Sequence, residues 1–185
     1  MSSWMAVGGG TGLELNRDSS HRDFAGSLTY SLGVGSSPLK TIVLGGLLRG
    51  QTFFGLGTDL GLAVRASTGG FARGDWGVAL DAGVVWRPWG NGDYGEWPIQ
   101  GVLTIGAPWG LQLALGGEFA SVSGGTSAQG FFGALEIDLL RLTVTRQGST
   151  TERWWPNPVP AGGHQSASGP TDDAHASDAA SFVRW

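Results

Sequence analysis

The sequence contains no cysteine and few charged residues. Without cysteine, the chain can form no disulfide, no zinc–thiolate site and no thiol nucleophile. Lys, Arg, Asp and Glu make up only 14% of the 185 residues, and the formal net charge is −4. With so few Lys and Arg residues, we expect no basic surface that binds nucleic acid, and no nucleic acid as a partner.

Long apolar runs are also missing. The longest, Thr41 to Leu48, is interrupted by Gly45 and Gly46 and falls well short of the ~20 residues that a transmembrane helix needs. This excludes a helical membrane protein. Met1 to Arg17 shows no basic segment followed by an apolar one, so no export signal is visible in this chain. We expect either a signal peptide upstream or already removed, or a chain that is not exported by that route.

Glycine and tryptophan are abundant, with 34 Gly and 9 Trp. The glycines lie within apolar alternation rather than in Ser or Gln tracts, so we interpret them as strand residues. The clearest stretch is Asp75 to Arg87. Every second residue from Trp76 to Trp86 is apolar, whereas the intervening positions are mostly small, with Asp81 and Arg87 as isolated charges. A period of two indicates a strand with two unlike faces.

The small residues on the second face of this strand indicate whether it belongs to a water-soluble sheet or to a narrow closed barrel. In a water-soluble sheet, the exposed face usually carries Lys, Glu or Thr rather than Gly and Ala. A small face with a few isolated charges is typical of a narrow closed barrel. The outside of such a barrel is apolar, and its inside has room only for small groups and paired ions.

The same alternation recurs along the chain and predicts eight strands of roughly 9 to 13 residues, about the length that crosses a bilayer when tilted. The segments are Trp4–Leu15, Phe24–Gly35, Lys40–Gln51, Gly55–Ser67, Asp75–Arg87, Ile99–Ala107, Leu111–Phe119 and Phe131–Arg146. A phase shift near Leu139 to Arg141 predicts a bulge in the last strand. Ser67 to Gly70 is predicted as a turn.

The predicted connections differ in length. Those after the first, fifth and seventh segments are long, and those after the second, fourth and sixth are short. In an up-and-down barrel, alternate connections share one rim, so the long loops lie together and both termini lie at the opposite rim. Pro88 to Pro98 is the longest loop and the best candidate for recognition of a partner.

The predicted fold class is all-β, with a single up-and-down antiparallel transmembrane β-barrel over residues 1–146. Residues 147–185 are predicted to be an irregular tail rich in Pro, Gly, Ser and Asp, which cannot bury enough apolar area to order itself. The clearest segments, those beginning at Phe24, Gly55, Asp75, Leu111 and Phe131, resemble the strands of small eight-stranded bacterial outer-membrane barrels of the OmpA, OmpX and OmpW type. The resemblance is one of pattern over about residues 4–146. It implies an outer-membrane location, membrane lipid as the partner, and a structural or surface-recognition role.

The charged residues of the small face are predicted to converge on the inside of the barrel. They are Glu14, Arg49, Asp59, Arg65, Asp81, Arg87, Glu118, Glu136 and Asp138, with Gln112 beside them. One interpretation is a selectivity ring along a narrow solute path. The favoured interpretation is a plugged interior of ion pairs, because eight strands leave a bore just wide enough for side chains.

Aromatic residues cluster at the predicted strand ends and loops. An aromatic belt at each membrane interface places Trp there, because the ring is apolar while the N–H takes a polar partner. The predicted interface residues are Trp76, Trp86, Trp89, Trp97 and Trp109, with Trp4, Tyr94, Trp154 and Trp155 in the same class. A core of a soluble barrel or a sugar-binding loop is the alternative.

Catalysis has little support in the sequence. His21 with Ser19, Ser20 and Asp23 forms the only conceivable hydrolase site, yet these are ordinary loop residues. In the tail, Asp172, Asp173, His175 and Asp178 are more typical of a solvated acidic linker than of a cation site. We therefore predict no enzyme activity, no metal and no cofactor.

Two alternatives remain open from the sequence. A soluble closed barrel that binds one small apolar ligand requires the large apolar parity to face inward. A membrane-embedded lipid-modifying hydrolase requires His21 to act as a base. No substrate or oligomeric state follows from the sequence.

Overall fold

The chain folds as a closed antiparallel barrel of eight strands, as the alternation predicted. The structure is a computed structural model that describes residues 1–16, 22–89, 94–122, 126–142, 144–147 and 150–153. The barrel strands are β1 (Ser2–Asn16), β2 (Arg22–Gly35), β3 (Ile42–Phe53), β4 (Gly57–Thr68), β5 (Gly77–Trp86), β6 (Ile99–Gly106), β7 (Leu111–Val122) and β8 (Thr126–Asp138). Each strand pairs with the next, and β8 pairs with β1, so the topology is up-and-down.

Large apolar side chains point away from the barrel, and small or charged ones point into it. Phe24 is 73% exposed and Leu62 is 68% exposed, whereas the inward Thr29 and Ala114 have no exposure. This orientation follows from the period of two, because successive Cβ atoms lie on opposite faces of a strand. Small, polar and charged side chains inside the barrel therefore occupy the position that aliphatic side chains take in the core of a soluble protein.

A short helix closes the lower rim, where β1 begins and β8 ends. It replaces the turn predicted at Ser67 to Gly70. Helix α1 (Gly69–Arg73) begins after Thr68, whose Oγ1 accepts a hydrogen bond from the N–H of Phe71 at 3.2 Å. It ends at Gly74, which has φ of 90°, a left-handed conformation that glycine adopts without a Cβ clash.

The C-terminal end of the barrel differs from the prediction. Strand β8 ends at Asp138, and the predicted bulge is instead a helical turn, α2 (Leu139–Leu142). The side chain of Asp138 accepts a hydrogen bond from the N–H of Leu140 at 3.0 Å, which stabilises this turn. Two short strands, β9 (Val144–Gln147) and β10 (Thr150–Arg153), then form a separate hairpin at the start of the segment predicted to be irregular.

The connections show less asymmetry than predicted. The seventh connection spans only residues 123–125, whereas the fourth contains α1. The fifth, residues 87–98, remains the longest, and it lies at the upper rim, opposite the termini. Neither of the helices in the described part of the chain is long and apolar enough to cross a membrane.

Candidate functional site

The barrel interior brings together charged residues from six of the strands and from the fifth connection. All of the residues predicted to face inward are buried, namely Glu14, Arg49, Asp59, Arg65, Asp81, Arg87, Gln112, Glu118, Glu136 and Asp138. A buried charge is costly unless it is paired and hydrogen-bonded. Most of these residues fall into two groups along the bore, which we call the Arg87 cluster and the central cluster.

The Arg87 cluster lies near the upper rim and surrounds one guanidinium with three carboxylates. Arg87 Nη2 donates to Asp59 Oδ2 at 2.7 Å and to Glu14 Oε1 at 3.3 Å, and it also contacts Glu118 Oε1. Its position is set by the backbone, because the N–H of Arg87 donates to the carbonyl oxygen of Glu96 at 2.8 Å. The returning loop thus extends the β5–β6 pairing and directs this side chain into the bore.

The central cluster joins two guanidinium groups to two carboxylates across the middle of the bore. Arg65 forms a bidentate pair with Asp81, both contacts at 2.7 Å, and the two residues face each other on β4 and β5. Arg49 Nη2 donates to Glu136 Oε1 at 3.0 Å. Gln112 completes the coordination of Glu136 with a hydrogen bond of 2.8 Å. The two arginines and the two carboxylates of this cluster are equal in number and opposite in charge, which offsets the cost of burying each charge.

The lower end of the bore is filled by aromatic side chains around Arg65. The guanidinium carbon of Arg65 lies 5.3 Å from the ring centroid of Trp4 and 5.5 Å from that of Phe71, which is carried by α1. Trp4 and Phe71 pack with Val43 and Ala79 in one buried cluster. Cation–π contacts of this kind stabilise a desolvated cation. The two rings also pack against the Arg65 guanidinium at the lower end of the bore.

The upper end is covered by the longest loop. Trp89 donates from Nε1 to Asp59 Oδ1 at 2.7 Å, and its ring lies 5.7 Å from that of Tyr94 and 6.2 Å from that of Phe53. Tyr94 also donates to Asp23 at the start of β2. Trp89 and Tyr94 therefore form an aromatic lid over the bore, above the Arg87 cluster.

The Trp residues predicted at a membrane interface divide into two groups. Trp76, Trp86, Trp97 and Trp109 are exposed on the outer wall, and the rings of Trp76 and Trp109 meet edge to face at 5.7 Å. Trp89 instead packs in the lid. Trp4 and Tyr94, which we placed in the same class, are also buried in the interior. The physical reason is that their positions lie on the inward parity or in the loop that returns over the bore.

Several functional residues escaped the sequence analysis because their partners lie far away in the chain. Gln100 donates to Glu118 at 3.3 Å, Thr29 donates to Glu136 at 2.9 Å, and Phe132 packs under the guanidinium of Arg49 at 5.5 Å. The inward parity of each was visible in the alternation. The contact between Gln100 and Glu118 follows from the register of the neighbouring strands β6 and β7, whereas Thr29 and Phe132 contact charged residues on strands that are not their neighbours.

The remaining candidate residues lie outside the part of the chain that the structure describes. They are Ser19, Ser20, His21, Trp154, Trp155, Asp172, Asp173, His175 and Asp178. Within the part of the chain that the structure describes, no group of His, Cys, Asp and Glu has an arrangement that holds a metal ion. The soluble carrier required the large apolar parity inside, and the structure has that parity outside.

The interior can therefore act as a network of ion pairs that fixes the barrel, with the lid and α1 at its two ends. Of the cavities found, one of about 10 Å³ lies inside the wall beside Arg49, Asp81 and Gln100. A space of that size holds about one water molecule. Comparison with protein-family models gives no match, and neither curated proteins nor solved structures match the chain.

Proposed function

We propose that this protein is a membrane-spanning β-barrel of a bacterial outer membrane, non-enzymatic, with a structural or surface-recognition role. The observation that carries the proposal is the outer wall. It exposes a continuous band of aliphatic side chains between two levels of aromatic ones. A soluble monomer rarely exposes a contiguous apolar patch beyond a few hundred Å².

The aliphatic band covers the middle of the strands on every side of the barrel. Its most exposed members are Leu32, Val34, Leu44, Leu48, Leu62, Val64, Leu80 and Leu135. At the outward positions of β3 to β7, the sequence carries no charged residue. In hydrocarbon an outward Arg or Lys costs about 2–4 kcal/mol at the bilayer midplane, so this absence of charge fits a wall in contact with lipid.

The aromatic residues flank this band at both rims. Phe24, Phe54, Trp86 and Trp97 are exposed near the upper rim, and the Trp76–Trp109 pair is exposed at the lower rim. Aromatic rings at two levels match the two interfaces of a bilayer, where an apolar ring and a polar N–H are both satisfied.

The filled bore favours a structural or recognition role over a solute path. The Arg87 cluster, the central cluster and the aromatic groups at either end occupy the space that a conducting pore keeps open. Recognition then falls to the surface loops, and the connection between the end of β5 and the start of β6, residues 87–98, is the longest between barrel strands.

Nitroxide labels on single introduced cysteines test the membrane proposal, because the chain contains no native cysteine. Leu62→Cys lies in the aliphatic band and Lys40→Cys lies at the lower rim, both exposed. In phosphatidylcholine vesicles, we expect the label at 62 to be relaxed by oxygen and shielded from a water-soluble nickel complex. The label at 40 should show the opposite. If the unlabelled chain is folded and monodisperse in plain buffer, with both labels open to nickel, the proposal fails.

A further inference from the structure

A groove of about 510 Å³ indents the outer wall across β2 to β5. Two rows of outward residues form it, each aligned by the strand register. The first row contains Tyr30, Gly50, Leu60 and Trp86, and the second contains Leu32, Leu48, Leu62 and Val84. Gly50 has no side chain, and the ring of Tyr30 lies over it in the first row. The volume is in the range of about 300–1,000 Å³ that is typical of small-molecule sites.

The two rows differ in chemistry. The first row is nearer the upper rim, and there Tyr30, Trp86 and the adjoining Trp97 carry O–H and N–H donors on large rings. The second row lies nearer the middle of the barrel and is wholly aliphatic. The groove thus has a polar-aromatic end and a hydrocarbon end, in the order that a lipid presents its ester groups and its acyl chain.

From this we propose that the groove is a specific site for one acyl chain of a membrane lipid, with the lipid's ester or phosphate oxygens at Tyr30, Trp86 and Trp97. This site rests on the proposed membrane location and adds a defined position to it. Lipid tails are as apolar as the leucines of the wall, so selectivity comes from close packing in a concave surface and from the donors at the rim.

Photo-crosslinking of the full chain tests the site. The chain is reconstituted in phosphatidylcholine vesicles that contain a small fraction of phosphatidylethanolamine with a diazirine at mid-chain. After illumination, we expect adducts concentrated on the peptides that carry Leu32, Leu48 and Leu62. In Gly50→Leu, the new side chain displaces the ring of Tyr30 from its place in the groove lining, and these adducts should fall about ten-fold, which corresponds to ~1.4 kcal/mol of lost contact.

A matched control lies on the same strand. Gly46 also faces outward on β3, outside the groove, and a Cβ added there meets nothing within 4 Å. Gly46→Leu should leave the adducts unchanged. Because a Cβ at Gly50 displaces the ring of Tyr30, Leu62→Trp provides a second way to fill the groove from an exposed position.

The possible results separate the two proposals. Adducts spread evenly over all eight strands of a properly reconstituted barrel would overturn the groove site and leave the membrane function standing. If Leu48→Cys chains in the vesicles form disulfide-linked dimers on oxidation, and the lipid adducts are absent from these peptides, the site is overturned in favour of a second chain as occupant. A chain that stays folded in buffer and does not enter the vesicles would overturn both.

Discussion

Arg65 illustrates how a single residue can be both costly and structural in this barrel. It is 1% exposed, forms a bidentate pair with Asp81, and lies between the rings of Trp4 and Phe71. Its charge is therefore stabilised by one carboxylate and two π faces. Removing one partner of such a pair leaves an uncompensated charge in a site with little water.

We expect Asp81→Asn to lower the free energy of unfolding by about 3–5 kcal/mol, because the guanidinium of Arg65 then has no anionic partner on β5. Urea unfolding, followed by tryptophan fluorescence in the medium that keeps the wild-type chain folded, measures the change. The double variant Arg65→Met with Asp81→Leu should be the more stable of the two, since it removes both charges and keeps apolar volume. A single variant within about 1 kcal/mol of wild type would show that the pair contributes little.

The alternation fixed which residues face the bore, but it left the pairs undetermined. Each charge on the small parity was predictable from its own strand, since the side-chain period of two needs no partner. The contact between Arg49 on β3 and Glu136 on β8 joins strands that are not neighbours in the sheet. It depends on the shear and curvature of the closed barrel, which no local pattern records.

Among the elements, helix α1 is one that the local sequence pattern did not predict. The segment Gly69–Arg73 has turn composition, and five residues are too few to show a helical period. What selects a helix is the cap by Thr68 and the burial of Phe71 in the lower end of the bore. Trp4 was misassigned to an interface for a related reason: the glycine-rich β1 gave only a weak alternation, so its inward parity was missed.

Strand β1 pairs with β8 to close the barrel, and the inward glycines of β1 leave no room for a side chain there. A Cβ added at Gly10 would lie 1.9 Å from the carbonyl oxygen of Gly133, whereas one added at the outward Gly9 would lie 3.7 Å from its nearest neighbour. The neighbour at Gly10 is backbone, so it cannot turn aside as a flexible side chain does. Closure of the barrel between its first and last strands therefore depends on the absence of a side chain at this position.

This packing predicts opposite outcomes for adjacent substitutions. Gly10→Ala should destabilise the barrel by about 1–3 kcal/mol, the usual cost of forcing a methyl into a filled space. Gly9→Ala, its matched control on the same strand, should change stability by less than about 1 kcal/mol. Urea midpoints of the two variants, measured under identical conditions, make the comparison. Equal midpoints would contradict the close approach of β1 to β8.

For the whole molecule, the arrangement of connections predicts an orientation for the proposed membrane barrel. Both termini of the barrel and helix α1 lie at the lower rim, and the 87–98 loop lies at the upper one. In bacterial outer-membrane barrels the long loops face the cell surface and the short turns face the periplasm. Because the connection at 123–125 is short, the difference in connection length between the two rims depends on the 87–98 loop alone. The proposed orientation therefore needs a direct measurement.

Cysteine labelling on cells supplies that measurement. With the chain directed to the outer membrane of a Gram-negative host, Glu96→Cys at the upper rim should react with a membrane-impermeant maleimide on intact cells. Lys40→Cys at the lower rim should react only after the outer membrane is permeabilised, and Leu62→Cys in the aliphatic band should stay unreactive in both conditions. The wild-type chain, which contains no cysteine, gives the background. Reaction of residue 40 but not 96 on intact cells would invert the orientation. Reaction of residue 62 would place the aliphatic band in water, where an outer wall of this composition is not stable.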